Sequence, residues 1–265
     1  MTPLMEPIIG EELESALNSA PFLNLPGALN PRDVASLCGQ HLRPRLLYRT
    51  GLLDPNILQA ADLERHNIKR IFDLRGVEDR AKFPDPHIDG VENVWLPSTA
   101  PMMTVDPTLF GERNVSGVGF LKLYEGILEV HTPSFRAVME HVRDRPEDGL
   151  LFHCSAGKDR TGVLAALLQM LAAVPPTNIA ADYTVTRIGI EPARTRLLAM
   201  LSKSGTGVSV ERPGTLAIGS VHPQTMFAFV ELVENRWGSA EGYCEKMLGL
   251  QPEDISRIKS NLRPI

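Results

Sequence analysis

The amino-acid sequence predicts an α/β fold, and three observations lead to that prediction. Short apolar segments with the composition of buried strands alternate with segments whose apolar residues recur at helical spacing. A glycine-containing turn joins one such strand directly to an apolar helix near the middle of the chain. Helical patterns then accumulate after residue 175. With 265 residues, 43% of them hydrophobic, the chain is long enough for one large domain.

The N-terminal half combines short helices with strand patterns. The segment Pro97–Gly119 is rich in Pro, Gly, Ser and Thr and is predicted to be a long loop, a kind of segment that often carries function. The other elements predicted in this half are a helix over Glu11–Asn18, a strand in Leu46–Asp54 that turns at Gly51, a helix over Ile57–Ile68, and strands over Lys69–Gly76 and Gly90–Pro97.

The C-terminal half is predicted to be helical around one buried strand, Gly149–Cys154. The segment Arg160–Val174 is apolar on nearly every face and should therefore lie in the core. The other predicted elements are a helix over Thr132–Arg145, one that begins after Pro176, a flexible connection over Lys203–Thr215, a helix through Met226, Phe227, Val230 and Val233, and a final pair over Ala240–Leu248 and Pro252–Leu262.

Composition argues against several classes of protein. A net charge of -5 and a pI of about 5.8 argue against a broad nucleic-acid surface. The three cysteines show no C-x-x-C spacing, so we expect reduced thiols and neither a metal nor another cofactor. The N-terminus lacks the pattern of a signal peptide, and the apolar stretch Val163–Val174 is too short to span a bilayer. We therefore expect a cytoplasmic protein without stable membrane insertion.

The stretch FHCSAGKDRTG, from Phe152 to Gly162, has the features of a phosphate-binding loop. A helix N-terminus offers unpaired N–H groups and partial positive charge, which bind an anion and favour a nearby thiolate. Cys154 and Arg160 enclose five residues, a span that can wrap one tetrahedral anion, and a guanidinium matches phosphate oxygens. A buried structural cysteine is the alternative, which the Cys-x5-Arg-Thr pattern disfavours.

This loop is not a Walker P-loop, because Asp159 follows Gly157 and Lys158 where that motif needs Ser or Thr. It resembles the HC-x5-R-[ST] signature of the cysteine-dependent phosphatases. It is most similar to the HC-x-AGKDRTG loop of the tyrosine/serine phosphatase family of bacteria and fungi. Further stretches resemble motifs of that family in order along the chain: Leu25–Leu37, Leu42–Leu53, Ile71–Arg80, Ala180–Arg187 and Gly238–Leu262.

The resemblance implies a cysteine-phosphatase fold, with a central, mostly parallel sheet flanked by helices. It also implies one phosphatase domain over residues 1–265, with an N-terminal extension over residues 1–24. A helical insertion over about residues 176–236 is expected to form a lid over the pocket. Phe227 and Phe229 would then face substrate or, as the simpler reading, pack in the core.

The resemblance also implies the roles of the loop residues. Cys154 would attack phosphorus and form a phosphocysteine, while Arg160 would hold equatorial oxygens. His153 would orient the loop, and Thr161 would hydrogen-bond the thiolate or serve as a first-turn helix residue. No metal is needed for this chemistry. The remaining residues expected to bind substrate are Ser155, Ala156, Gly157 and Lys158.

The proton for the leaving group needs a separate donor. Asp159 lies beside the bound phosphate, whose charge disfavours the ionised carboxylate, and this suits a general acid. The competing candidate is Asp106, in the predicted long loop. Of the two, the sequence favours Asp159.

The substrate class stays open at this stage. A phosphorylated protein, a phosphoinositide and a small phosphorylated metabolite all fit, as does a pseudophosphatase that only binds its ligand. Lys158 is expected to add positive charge for a more anionic substrate, unless it is merely solvated, and Arg32 and Arg49 are expected to add more.

Overall fold

A five-stranded sheet organises the protein in the computed structural model, which describes residues 6–101, 106–110, 117–203 and 216–264. The strand order is β1-β2-β5-β3-β4, and every neighbouring pair is parallel except β1 with β2. The prediction of an α/β fold with a mostly parallel sheet is therefore confirmed. The strands are β1 (Arg32–Asp33), β2 (Leu47–Thr50), β3 (Ile68–Asp73), β4 (Glu92–Trp95) and β5 (Gly149–His153).

The central strand β5 determines where a ligand can bind. All five of its residues are buried, because β2 and β3 pair with it on either side. The register places Thr50 of β2 and Asp73 of β3 directly beside His153. The carboxyl ends of three parallel strands thus meet at one edge, which is where open α/β sheets place their ligands.

Helices cover both faces of this sheet, as parallel sheets require. The predicted helices near residues 11, 132, 160, 176, 223, 240 and 252 are all present. They are numbered in chain order as α1 (Glu11–Leu17), α2 (Ala60–Arg65), α3 (Val77–Lys82), α4 (Val118–Val130), α5 (Thr132–Asp144), α6 (Asp159–Leu171), α7 (Pro176–Thr184), α8 (Thr186–Gly189), α9 (Arg194–Lys203), α10 (Pro223–Trp237), α11 (Ala240–Leu248) and α12 (Pro252–Leu262).

Helix α6 lies at the centre of the larger core, as its sequence predicts. Ten of its residues are buried, and α4, α7, α10, α11 and α12 pack around it. A smaller core under the opposite face includes Leu63, Ile71 and Leu151. This packing leaves the N-terminus of α6 at the sheet edge where the strands end.

Some predicted boundaries are wrong. Helix α2 spans only Ala60–Arg65, because the chain before it turns at Asp54 and Gln59 caps the helix. Helix α4 includes the last two residues of the predicted loop Pro97–Gly119, and a 3-10 turn occupies Pro107–Phe110. The rest of α4 was not predicted, although the apolar residues of this helix recur at helical spacing. Helix α3 is a further element that the sequence analysis did not identify.

The segment predicted to form a lid contributes to the main core in this structure. Helix α10 packs along α7, and Phe229 is fully buried while Phe227 is half-buried. Movement of residues 176–236 as a lid stays a prediction. The predicted connection Lys203–Thr215 lies, after its first residue, outside the described residues. Within the described ranges, no helix has the length and apolar character needed to cross a membrane.

Candidate active site

The loop Cys154–Lys158 joins the end of β5 to the first residue of α6. Cys154 is 2% exposed, at the bottom of this turn. Gly157 has a φ of 67°, and a Cβ there would lie 2.6 Å from the carbonyl oxygen of Thr50. The loop therefore depends on glycine twice, for its left-handed backbone and for its close approach to β2.

Two carbonyl groups of the loop point toward β2 and the residues that follow it. The Ser155 carbonyl accepts a hydrogen bond from the Leu52 N–H at 3.2 Å, and the Gly157 carbonyl accepts one from Arg49 Nη2 at 2.9 Å. The N–H and C=O of a trans peptide point in opposite directions. The following N–H groups, of Ala156 and Lys158, consequently face the other side, where an anion above the helix N-terminus would meet them.

Arg160 lies in the first turn of α6 and contacts both the loop and the segment that follows β3. Its Nη2 lies 3.2 Å from Asp79 Oδ2 and 3.4 Å from Ser155 Oγ, and its Nη1 lies 3.4 Å from the Leu74 carbonyl oxygen. Burial alone lowers the pKa of Arg160, but the charges of Cys154 and Asp79 outweigh it, and the net shift is upward. The guanidinium thus remains positively charged beside Cys154.

Asp79 is a site residue that the sequence analysis missed. It lies in the first turn of α3, and its Oδ2 accepts a hydrogen bond from Ser155 Oγ at 3.1 Å in addition to the contact with Arg160. The sequence held a signal for Asp79, because this residue follows closely after β3, a strand that was predicted. In the structure, β3 pairs with β5. An acid just after such a strand falls at the ligand-binding edge of the sheet.

Asp159 is held by two donors. Its Oδ1 lies 2.9 Å from Lys158 Nζ and accepts a hydrogen bond from the Tyr124 hydroxyl at 3.0 Å. The Tyr183 hydroxyl lies 2.7 Å from that of Tyr124 and extends the chain of hydrogen bonds. Asp159 is therefore tied directly to Lys158 and Tyr124, and through Tyr124 to Tyr183.

Lys158 is buried, with only 3% of its surface exposed. Its ammonium donates to the carbonyl oxygens of Ile218 at 2.9 Å and Ser220 at 3.3 Å, and it lies over the ring of Phe120. Burial lowers the pKa of Lys158, but Asp159 and Tyr183 outweigh that effect and raise it. Lys158 is therefore not the solvated lysine that was one alternative.

Neither Arg32 nor Arg49 can add positive charge for a substrate by direct contact. Both side chains are at most 1% exposed, because they lie beneath the loop and share the carboxylate of Asp182. The charge that these residues carry is used inside the protein.

His153 connects the loop to a buried group of charges. Its Nε2 lies 3.0 Å from Asp85 Oδ2, and Arg75 bonds both Asp85 and Asp73. Asp73, Asp85 and His153 are near enough to one another to hold a metal ion. Arg75 already provides the cation between the two carboxylates, so the geometry fits an ion-pair network better. The orienting role of His153 stays a prediction that this network supports.

Thr161 and Asp106 are the two remaining candidates from the sequence analysis. Thr161 is fully buried in the first turn of α6, and its Oγ1 has no hydrogen-bond partner within the described chain. Asp106 precedes the 3-10 turn over Pro107–Phe110 and accepts a hydrogen bond from the Thr108 N–H. The catalytic roles of both residues stay predictions.

A buried cysteine at the end of a strand, an arginine six residues later and a helix N-terminus together make a site suited to phosphoryl groups, as in phosphatases. The comparison with known proteins agrees. The model of the tyrosine phosphatase family matches residues 23–264, and the chain belongs to this family. The predicted resemblance to such phosphatases is thereby confirmed.

Individual relatives are similar to this chain at moderate identity. A tyrosine-protein phosphatase of Nostoc commune is 29% identical over 72% of this chain, which spans 60% of that relative's length. The triple specificity protein phosphatase PtpB of Mycobacterium tuberculosis is 26% identical over 90% of this chain and 98% of its own. The solved structure of P. aeruginosa TpbA is 19% identical, with a TM-score of 0.33, over 57% of this chain and 80% of its own.

Substitution of Gly157 tests the close approach of the loop to β2. We expect Gly157→Ala to weaken inorganic phosphate binding at least about ten-fold, since the new Cβ would push the loop away from Thr50 and disturb its N–H donors. Calorimetric titration measures this affinity. Gly90→Ala is the matched control, because Gly90 has a φ of 78° but open space around its Cβ position. Equal weakening in both variants would contradict the account.

Proposed function

We propose that this protein hydrolyses phosphate monoesters through a phosphocysteine intermediate, with phosphotyrosine in proteins as its main substrate and some activity on phosphoserine or phosphothreonine. The observation that carries the proposal is that Cys154 and Arg160 lie at the two ends of one turn, between β5 and the first turn of α6. Membership of the tyrosine phosphatase family supports it. No cofactor takes part, and we propose a cytoplasmic location.

In the first step, the Cys154 thiolate attacks phosphorus, the P–O bond to the leaving group breaks, and an acid donates a proton to the departing oxygen. Water then attacks the phosphocysteine and releases inorganic phosphate and the thiolate. Arg160 would exchange its contacts with Asp79 and the Leu74 carbonyl for two equatorial phosphate oxygens. The N–H groups from Ser155 to Arg160 stabilise the remaining charge.

Asp79 is the acid that the geometry favours, and Asp159 is the one that the sequence favours. Asp79 contacts both Arg160 and Ser155. It therefore lies beside the phosphate cradle, the set of N–H groups from Ser155 to Arg160. When phosphate takes Arg160, Asp79 is released from that contact and remains beside the bound anion, which is the position that a proton donor needs. Asp159 keeps the Lys158 ammonium beside it.

The alternatives differ in substrate or in chemistry. A phosphoinositide or a small metabolite with several phosphates would need positive charge beyond the loop, and the burial of Lys158, Arg32 and Arg49 removes the reason to expect it. A pseudophosphatase would retain binding without turnover. Cys154 and Arg160 are both in place, which favours an active enzyme. We propose that nucleic acid is not a partner of this protein.

Loss of either central residue should abolish turnover of an aryl phosphate. We expect Cys154→Ser to lower kcat at least about a thousand-fold yet still bind phosphate, because the cradle remains. Arg160→Ala should lose both functions. Steady-state kinetics and calorimetry separate these outcomes. EDTA should leave the wild-type rate unchanged, and loss of activity that added metal restores would contradict the cysteine mechanism.

The pH–rate profile identifies the proton donor. We expect Asp79→Asn to remove the basic limb of kcat, with a much larger rate loss on alkyl phosphates than on aryl phosphates that have good leaving groups. Glu78→Gln, an exposed neighbour in the same turn of α3, is the control. If Asp159→Asn or Asp106→Asn gives that pattern and Asp79→Asn does not, the assignment to Asp79 is wrong.

A further inference from the structure

Arg49 is an arginine buried inside the protein, directly beneath the loop. It lies in β2, beside Phe152 of β5, and its side chain is 1% exposed. One arm of the guanidinium, Nη1, pairs with Asp182 of α7, and the other arm, Nη2, donates to the Gly157 carbonyl at 2.9 Å. This guanidinium therefore joins two parts of the protein that are distant in sequence.

We infer that Arg49 is a positioning residue for the phosphate cradle, held in place by Asp182, an inference that rests on the proposed function. The Gly157 carbonyl and the Lys158 N–H belong to one planar peptide unit. A donor that holds the carbonyl against β2 consequently holds the N–H toward the bound anion. Because the donor is charged, it also polarises the peptide and strengthens that N–H as a hydrogen-bond donor.

The charges around Arg49 suit an anion above the loop. Arg32 and Arg49 share the carboxylate of Asp182, so this triad of side chains carries a surplus of one positive charge. Burial raises the pKa of Asp182, but the two guanidinium groups outweigh it and lower the value, which keeps the carboxylate ionised. The surplus charge lies under the cradle, where a substrate cannot contact it. Its electrostatic attraction still stabilises an anion bound above the loop.

Arg32 provides a matched control within the same triad. It is equally buried and bonds Asp182, Asn30 and Thr186, and within the described residues none of its hydrogen bonds reaches the loop. Replacement of Arg32 or Arg49 by lysine keeps the charge in both cases. Only the replacement of Arg49 removes a fork that reaches Asp182 and Gly157 together.

The experiment compares Arg49→Lys, Arg49→Met and Arg32→Lys with the wild-type full chain. Calorimetry gives the affinity for inorganic phosphate, steady-state kinetics on an aryl phosphate give kcat and KM, and thermal unfolding gives stability. We expect both Arg49 variants to bind phosphate about ten-fold more weakly or worse, with a larger fall in kcat than rise in KM. Arg32→Lys should lose stability but keep its phosphate affinity within about two-fold.

Several outcomes would decide against the inference. Equal weakening by Arg49→Lys and Arg32→Lys would show a general effect of the triad, and unchanged phosphate affinity in both Arg49 variants would show that the contact is not needed. If Arg49→Met does not fold, Arg49→Lys alone carries the comparison. A wild-type protein that neither binds phosphate nor turns over the aryl phosphate would instead contradict the proposed function itself.

Discussion

The backbone of the Cys154–Lys158 loop lies directly against the end of β2, and the active site depends on this contact. A Cβ at Gly51 would lie 3.0 Å from the Ala156 carbonyl carbon, and one at Gly157 would lie 2.6 Å from the Thr50 oxygen. Such spacing leaves no room for a side chain between the two segments. The loop carbonyls bond toward β2, and the N–H donors are consequently free to face an anion.

Buried charge supports this contact from two sides. The triad of Arg32, Arg49 and Asp182 lies beneath the loop, and a second network that contains Arg75 and His153 lies at the end of β3. Removal of one partner from a buried pair is costly, while the intact pair contributes modestly to stability. Their value here is therefore geometric, because one network bonds the loop at Gly157 and the other bonds His153, the residue before the loop.

The sequence predicted the turn between β5 and α6 better than its surroundings. Cys154 and Arg160 are visible because the Cys-x5-Arg spacing is itself the local structure of an anion-binding turn. The burial of Lys158 and Arg49 was not visible, because it depends on contacts with residues distant in the chain, at Ser220 and Asp182. Asp79 was missed because the sequence analysis did not weigh the acids that follow β3, although a position just after a predicted strand lies at the ligand-binding edge of the sheet.

Detection of a covalent phosphoenzyme tests the central claim most directly. The full chain would be mixed with an aryl phosphate, quenched in acid within one turnover, digested and analysed by mass spectrometry. The account predicts one added phosphoryl group on the peptide that contains Cys154, absent from Cys154→Ser. Turnover without any phosphorylated cysteine peptide, or the same label on Cys38 or Cys244, would contradict it.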